Sequence, residues 1–253
     1  VEVFKGSQGH RFGKNSPGGV INIKTRRAVD VHRLKLFASY ASFDTQNYRI
    51  LGDGPTGKTS SYYFGLNRTT SDGFADNVNP LGNNATYESW NGRLGFDWVT
   101  VDGLEIGLGG TWEEFELGAQ PLVPRASSGN LKRVGFYDRN SSEQEIASID
   151  SNSQYLKLTQ ATDFGRITSI TTRNDWEINP SVVDLTLGHT TLANADVASG
   201  GPFVASTSTI IESQERIAEE LTFSSDPDEN LIWNLGFLFS KDEINGAAER
   251  TFP

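Results

Sequence analysis

The sequence of 253 residues contains no cysteine, which excludes a disulfide framework, a zinc ribbon and a thiol nucleophile. It contains no methionine either, even at position 1, so a segment of a longer translated chain is expected. Val1 opens within an apolar pattern, and Arg250-Thr251-Phe252-Pro253 follows directly on a strand-like run, so both ends read as cut. Histidine is scarce. His10, His32 and His189 lie far apart without the H-E-x-x-H spacing of a zinc helix, and each reads as a polar or loop residue. Positive charge is also short, with 22 Lys and Arg against 32 Asp and Glu and a net charge of −10. The basic stripe that nucleic acid requires is missing, so nucleic acid is not an expected partner. No run of about 18 apolar residues occurs, which excludes a helical membrane span. It does not exclude a membrane strand, because such a strand buries only alternate residues in lipid and looks hydrophilic on average.

What the sequence does contain is alternation with a period of two residues. Trp90, Gly92, Leu94, Phe96 and Trp98 fall on one face of a strand, opposite Ser89, Asn91, Arg93, Gly95 and Asp97. Leu104, Ile106, Leu108, Gly110 and Trp112 repeat the theme. Between them, Thr100-Val101-Asp102-Gly103 carries the Asp-Gly pair of a tight hairpin. Trp90 and Trp98 are separated by roughly 26 Å at ~3.3 Å per residue. On a strand tilted by ~40° this spans ~20 Å of bilayer normal, close to the ~25 Å band between aromatic girdles.

Nine strands are expected near 31–43, 46–53, 58–69, 87–99, 103–116, 154–164, 166–177, 210–224 and 231–243. The two at 154–164 and 166–177 alternate poorly. Residues 70–86, 117–153 and 178–209 form long loops, and the other links are short. Short turns at one end and long loops at the other are the pattern of an outer-membrane barrel, whereas long loops count against a compact soluble domain. The expected fold class is all-β: an antiparallel transmembrane β-barrel, partial and not closed, since bacterial barrels use an even number of strands.

Residues 1–27 read VEVFKGSQGHRFGKNSPGGVINIKTRR. Val1, Glu2, Val3, Lys5, Gly6 and Gln8 form an opening strand and turn. Phe12-Gly13 is an aromatic-Gly turn, and Gly18, Gly19, Ile21, Asn22, Ile23 and Thr25 form a closing strand. Glycines let the chain reverse repeatedly at no steric cost. In fixed order, these residues resemble the end of the plug domain of TonB-dependent outer-membrane receptors, with Ser7 standing where that family usually has Pro. Gln214 to Phe239 is similar to a barrel hairpin of siderophore-type receptors. The resemblance implies that residues 1–28 end the plug and that 29–253 are the N-terminal part of the barrel, with about nine strands.

Other motifs carry less. Gly52 to Thr59 fits G-x-x-x-x-G-K-[ST], but the aromatic run Tyr62-Tyr63-Phe64 follows where a phosphate-binding loop needs a helix. A Gly/Pro turn between two strands accounts for the same residues. Glu113-Glu114 and Glu219-Glu220 are adjacent, so on a strand their members point to opposite faces and neither pair can be a carboxylate dyad. No nucleophile elbow is present, so no enzyme, cofactor or metal site is expected.

The resemblance implies uptake of a scarce nutrient, most naturally a ferric siderophore or similar iron complex, energised through TonB with ExbB–ExbD. Outer-membrane lipid would be a partner, and the bacterial outer membrane the location. The alternative is a passive porin or structural barrel. Lys5 is a candidate partner for a lumen carboxylate such as Glu220, whose strand parity opposes Ile217, Leu221 and Phe223; hydration of both is the plainer alternative. No residue in the long loops names a ligand.

Overall fold

The computed structural model describes residues 2–7, 18–22, 31–77, 80–119, 138–139, 144–184, 207–226 and 231–251. Two short strands, β1 (Glu2–Lys5) and β2 (Gly19–Asn22), form an antiparallel hairpin. Nine further strands make one sheet: β3 (Arg33–Ala41), β4 (Thr45–Pro55), β5 (Ser60–Ser71), β7 (Tyr87–Val99), β8 (Glu105–Leu117), β10 (Ile146–Thr162), β11 (Gly165–Asp184), β12 (Thr207–Ser224) and β13 (Asn234–Thr251). The remaining pair, β6 (Asp76–Asn77) and β9 (Asp138–Arg139), is parallel and joins two loops.

The sheet is a pure meander, each strand antiparallel to the next, in the order β3-β4-β5-β7-β8-β10-β11-β12-β13. Among the described residues β3 and β13 each pair on one side only, so the sheet does not close. Turns of a few residues join strands at one end. At Thr100–Leu104 the expected Asp102-Gly103 turn forms, with Gly103 at φ +78° and its amide donating to the Thr100 carbonyl at 3.1 Å.

All nine expected strands are present, including the two with poor alternation. Their outer limits need correction. β10 begins at Ile146, β11 runs on to Asp184, β12 begins at Thr207 and β13 continues to Thr251. The three long loops are correspondingly shorter than 70–86, 117–153 and 178–209. The cause is physical. Stretches such as Asp150-Ser151-Asn152-Ser153-Gln154 are polar at every position, on both faces of the strand, and so do not alternate.

The sheet has no apolar core of its own. Among the described residues the buried apolar side chains are all alanines, whereas large ones stand exposed, with Leu94 at 54% and Phe239 at 70%. Register shows how they are arranged, because residues directly opposite in an antiparallel pair share a face. One face collects Leu34, Leu36, Tyr48, Ile50, Phe64, Leu66, Trp90, Leu94, Phe96 and Trp98. It continues through Ile106, Leu108, Trp112, Leu156, Leu158, Ile167, Leu221, Phe223, Leu235, Phe237 and Phe239. Leu, Ile, Phe and Trp in such number on an exposed surface mark a face made to be covered, by a membrane or by another protein.

The upper edge of this apolar band also slants. On β3 it reaches Tyr40, whose register level crosses β5 at Thr70. On β13 it ends at Phe239, whose level runs through Glu219, Thr171, Leu156, Leu108 and Phe96 to Tyr62 on β5. Thr70 and Tyr62 are eight residues apart on β5. Eight residues are ~26 Å of strand, and eight inter-strand spacings are ~38 Å of sheet. A level band therefore needs strands tilted by roughly 35°, the tilt at which membrane barrels run.

Candidate functional site

The opposite face of the sheet is largely polar and carries local hydrogen-bonded rows. Arg49, Asn67, Asn91 and Glu113 lie on one register level across β4, β5, β7 and β8. Arg49 Nε donates to Asn67 Oδ1 at 3.2 Å, and Asn67 Nδ2 donates to Asn91 Oδ1 at 3.0 Å. Asn47 joins from β4, donating to Asn67 Oδ1 at 3.0 Å. Further round, Ser153 Oγ donates to Asn174 Oδ1 at 2.6 Å. Amide side chains each offer donor and acceptor, so a row of them can satisfy itself and still present polar groups to whatever fills the interior.

One level of this face is built differently. Tyr63, Gly95, Gly109 and Tyr155 stand in register on four successive strands. The two tyrosine hydroxyls meet at 2.8 Å above the two glycines. A Cβ at Gly109 would lie 2.6 Å from the Tyr63 hydroxyl and 2.8 Å from the Leu94 carbonyl oxygen. The glycines thus let both rings lie flat along the wall, the covering of strand glycine by an aromatic neighbour.

The loop end is closed by a small clasp. Asn83 Nδ2 donates to the carbonyls of Gly118 and, at 2.7 Å, Glu145, while its Oδ1 accepts from the Glu145 amide at 2.9 Å. Ala75, Ala85 and Ala119 pack beneath as a buried cluster. Phe43 in the β3–β4 turn meets Phe74 edge-on at 6.4 Å. One asparagine therefore ties the 72–86 loop to both ends of the 118–145 connection.

In the hairpin, Glu2 pairs with Asn22, Val3 with Ile21, and Lys5 with Gly19. The Gly6 amide donates to the Gly18 carbonyl at 3.3 Å, with Gly6 at φ +80°. The two halves of the Gly-rich motif are thus brought together. Val1, Gln8, Phe12, Gly13, Ile23 and Thr25, with His10 and His189, lie outside the described residues. Glu220 stands on the polar face of β12, level with Ile170 and Leu238, where it accepts from Thr222 Oγ1 at 3.5 Å. Ile217, Leu221 and Phe223 take the other face, as their parity requires. Gly52 to Thr59 form the end of β4 and its turn; the Thr56 amide donates to the Ser60 carbonyl at 2.9 Å, and a strand, not a helix, follows. The amide row, the tyrosine pair and Asn83 were not found from sequence. Each sits on the polar register of its strand or in a loop, where only inter-strand pairing reveals it.

No family model matches the chain. Its fold is similar to that of the ferripyoverdine receptor of the outer membrane of Pseudomonas aeruginosa, solved bound to ferripyoverdine, with a TM-score of 0.64 at 12% identity. That match covers 97% of this chain and 32% of the receptor. The ferric yersiniabactin uptake receptor from Yersinia pestis matches with a TM-score of 0.57 at 13% identity, over 98% of this chain and 48% of its own. The ferric enterobactin receptor of Pseudomonas aeruginosa, in a mutant form, gives 0.51 at 12%, over 99% and 43%. The chain thus spans between a third and a half of these proteins. Its nine-stranded, unclosed sheet thus shares the fold of part of these ferric-siderophore receptors.

Proposed function

We propose that the chain is part of an outer-membrane receptor that takes up a ferric siderophore or similar iron complex with energy from TonB and ExbB–ExbD. Residues 1–28 would end the plug, and residues 29–253 would form the first part of the barrel wall. The observation that carries this reading is the two-faced sheet: a slanted apolar band on one side and a hydrogen-bonded polar wall on the other. Such a surface suits a strand wall with lipid outside and a hydrated interior within. The hairpin with the plug motif supports a receptor over an empty pore, since a porin has no use for it. Substrate, energy coupling and location come with this reading and share its test.

The test is uptake by the full-length protein in its own bacterium under iron limitation. Deleting the gene should abolish radioiron uptake from at least one of a panel of ferric siderophores, and deleting TonB should abolish the same uptake. Transport that continues without TonB would turn the reading to a passive porin. Full uptake of every iron complex after gene deletion would end it.

A further inference from the structure

On the apolar face, a shallow groove of about 610 Å³ runs over β3, β4, β5 and β7. Leu36, Ile50 and Leu66 form its inner tier; Ala38, Tyr48 and Trp90 line the outer one. Arg68 stands in that outer tier, directly opposite Trp90. Its guanidinium carbon lies 5.1 Å from the centre of the Trp90 ring. Its Nε donates to Glu88 Oε1 at 2.9 Å, and Trp90 Nε1 donates to the same oxygen at 3.0 Å. One carboxylate oxygen thus fixes both residues, while the Arg68 side chain stays 42% exposed.

The surroundings give this arginine a purpose beyond an ion pair. On this face of β3, β4 and β5, Arg68 is the only charged side chain among the described strand residues. Carboxylates of the face begin one strand away, with Glu88 paired to Arg68, Glu116 opposite Glu88 and Glu114 opposite Trp90, and continue as Asp150, Asp175, Glu177, Glu215 and Glu243 on β10 to β13. The position also recurs. Arg173 pairs with Asp175 and Glu215, both at 3.3 Å, and Lys241 with Glu243 at 3.8 Å. In each case the cation sits at or just beyond the upper edge of the slanted apolar band, with its carboxylates one tier further out. Arg68 and Arg173 therefore stand at the edge of the band, and Lys241 one tier beyond it.

We propose that the groove holds an acyl chain of an anionic, phosphorylated membrane lipid, with Arg68 as the phosphate anchor. The proposal rests on the reading that this face meets lipid. An arginine has five N–H donors in a planar fork. The Glu88 carboxylate engages only one side of it, so donors remain for a phosphate. Pinning by Glu88 and Trp90 removes side-chain freedom before binding, which lowers the entropic cost of the contact. The aliphatic walls below take the acyl chain by ordinary apolar contact, and β3 and β4 place no carboxylate on the side of Arg68 away from Glu88.

The test uses the full-length protein in phosphatidylcholine vesicles containing, at equal mole fraction, either phosphatidylglycerol or phosphatidylcholine with brominated acyl chains. Bromine quenches tryptophan on contact. The contribution of Trp90 is the difference between the parent and Trp90→Phe. Brominated phosphatidylglycerol should quench it about fivefold more strongly than brominated phosphatidylcholine, the preference one interfacial cation supplies. Arg68→Gln should bring the ratio to one, and Ala38→Phe, which fills the groove without adding a tryptophan, should lower quenching of Trp90 by both lipids. A ratio of one in the parent, or a preference kept in Arg68→Gln, would overturn the proposal. If Trp98 and Trp112 are also unquenched by either lipid, the face does not meet lipid, and the underlying reading fails instead.

Discussion

An arginine placed at Leu94 gives the sharpest test of which face meets lipid. Leu94 lies midway between Trp90 and Trp98 on β7, four residues from each, with its side chain 54% exposed on the apolar face. Four residues are ~13 Å of strand and, at the tilt read from the band, ~10 Å of depth. An arginine there is too far from either edge to lift its charge fully clear of hydrocarbon, so Leu94→Arg should cost on the order of 2–4 kcal/mol. The control belongs on the polar face of the same strand. Gly95, next along the chain, is unsuitable, because a Cβ there would lie 2.2 Å from the Tyr63 ring and any side chain would be penalised sterically. Asn91 is better. Replacing it by Arg removes the hydrogen bond from Asn67 in a hydrated setting, about 0.5–1.5 kcal/mol. The two variants should then differ by ~2 kcal/mol, a midpoint separation of about 1 M urea for a slope near 2 kcal/mol per molar. The assay is a reversible urea titration of the full-length protein in vesicles. Equal costs, or a larger one at Asn91, would show that the faces have been assigned the wrong way round.

Three further outcomes follow from particular contacts. Lys58→Ala should change no nucleotide affinity, because the Gly52–Thr59 segment is a strand turn; ATP binding tighter than millimolar that disappears in this variant would refute the turn assignment. Gly109→Ala should destabilise by about 1–3 kcal/mol through overpacking against the tyrosine pair, whereas Tyr63→Phe should cost only ~1 kcal/mol for one neutral hydrogen bond; the reverse order in the same titration would mean that the rings do not rest on the glycines. Asn83→Ala should remove three hydrogen bonds, to the Gly118 and Glu145 carbonyls and from the Glu145 amide, loosening the clasp by about 1–3 kcal/mol. Amide exchange should quicken in 72–86 and at Glu145 while β7 and β8 stay protected, and unchanged exchange would show that Asn83 ties nothing.

The half of the wall that carries the apolar band was legible in the sequence because its two faces differ in polarity. Trp90 to Trp98 alternates cleanly since every second side chain belongs to the apolar face and the others to the polar one. The outer halves of β10 to β13 were not, because Asp150 to Gln154 and Arg173 to Glu177 carry polar residues on both faces. β11 was obscured within the apolar band as well. Ser169 and Thr171 occupy its apolar-side positions, where both hydroxyls donate to Glu219, a partnership that alternation cannot express. The candidate site was the least legible part. Asn67 and Asn91 are ordinary polar residues until pairing sets them side by side, and Tyr63 and Tyr155 are 92 positions apart. The glycines of the hairpin were readable because their demand is local, a chain reversal between Phe4 and Val20.

The slanted edge of the apolar band has a consequence for the size of the opening this wall would enclose. At a tilt of about 35° each strand occupies ~5.8 Å of circumference, so nine strands form an arc of ~50 Å. Were the circle completed with roughly 22 strands, its backbone diameter would be ~40 Å. A bore that wide cannot discriminate: any solute smaller than a folded domain would leak through it. The tilt therefore demands a stopper, and it sets the stopper's scale. Something about as broad as a small globular domain must sit against the asparagine row and the flat tyrosine level for the wall to be a gate rather than a hole.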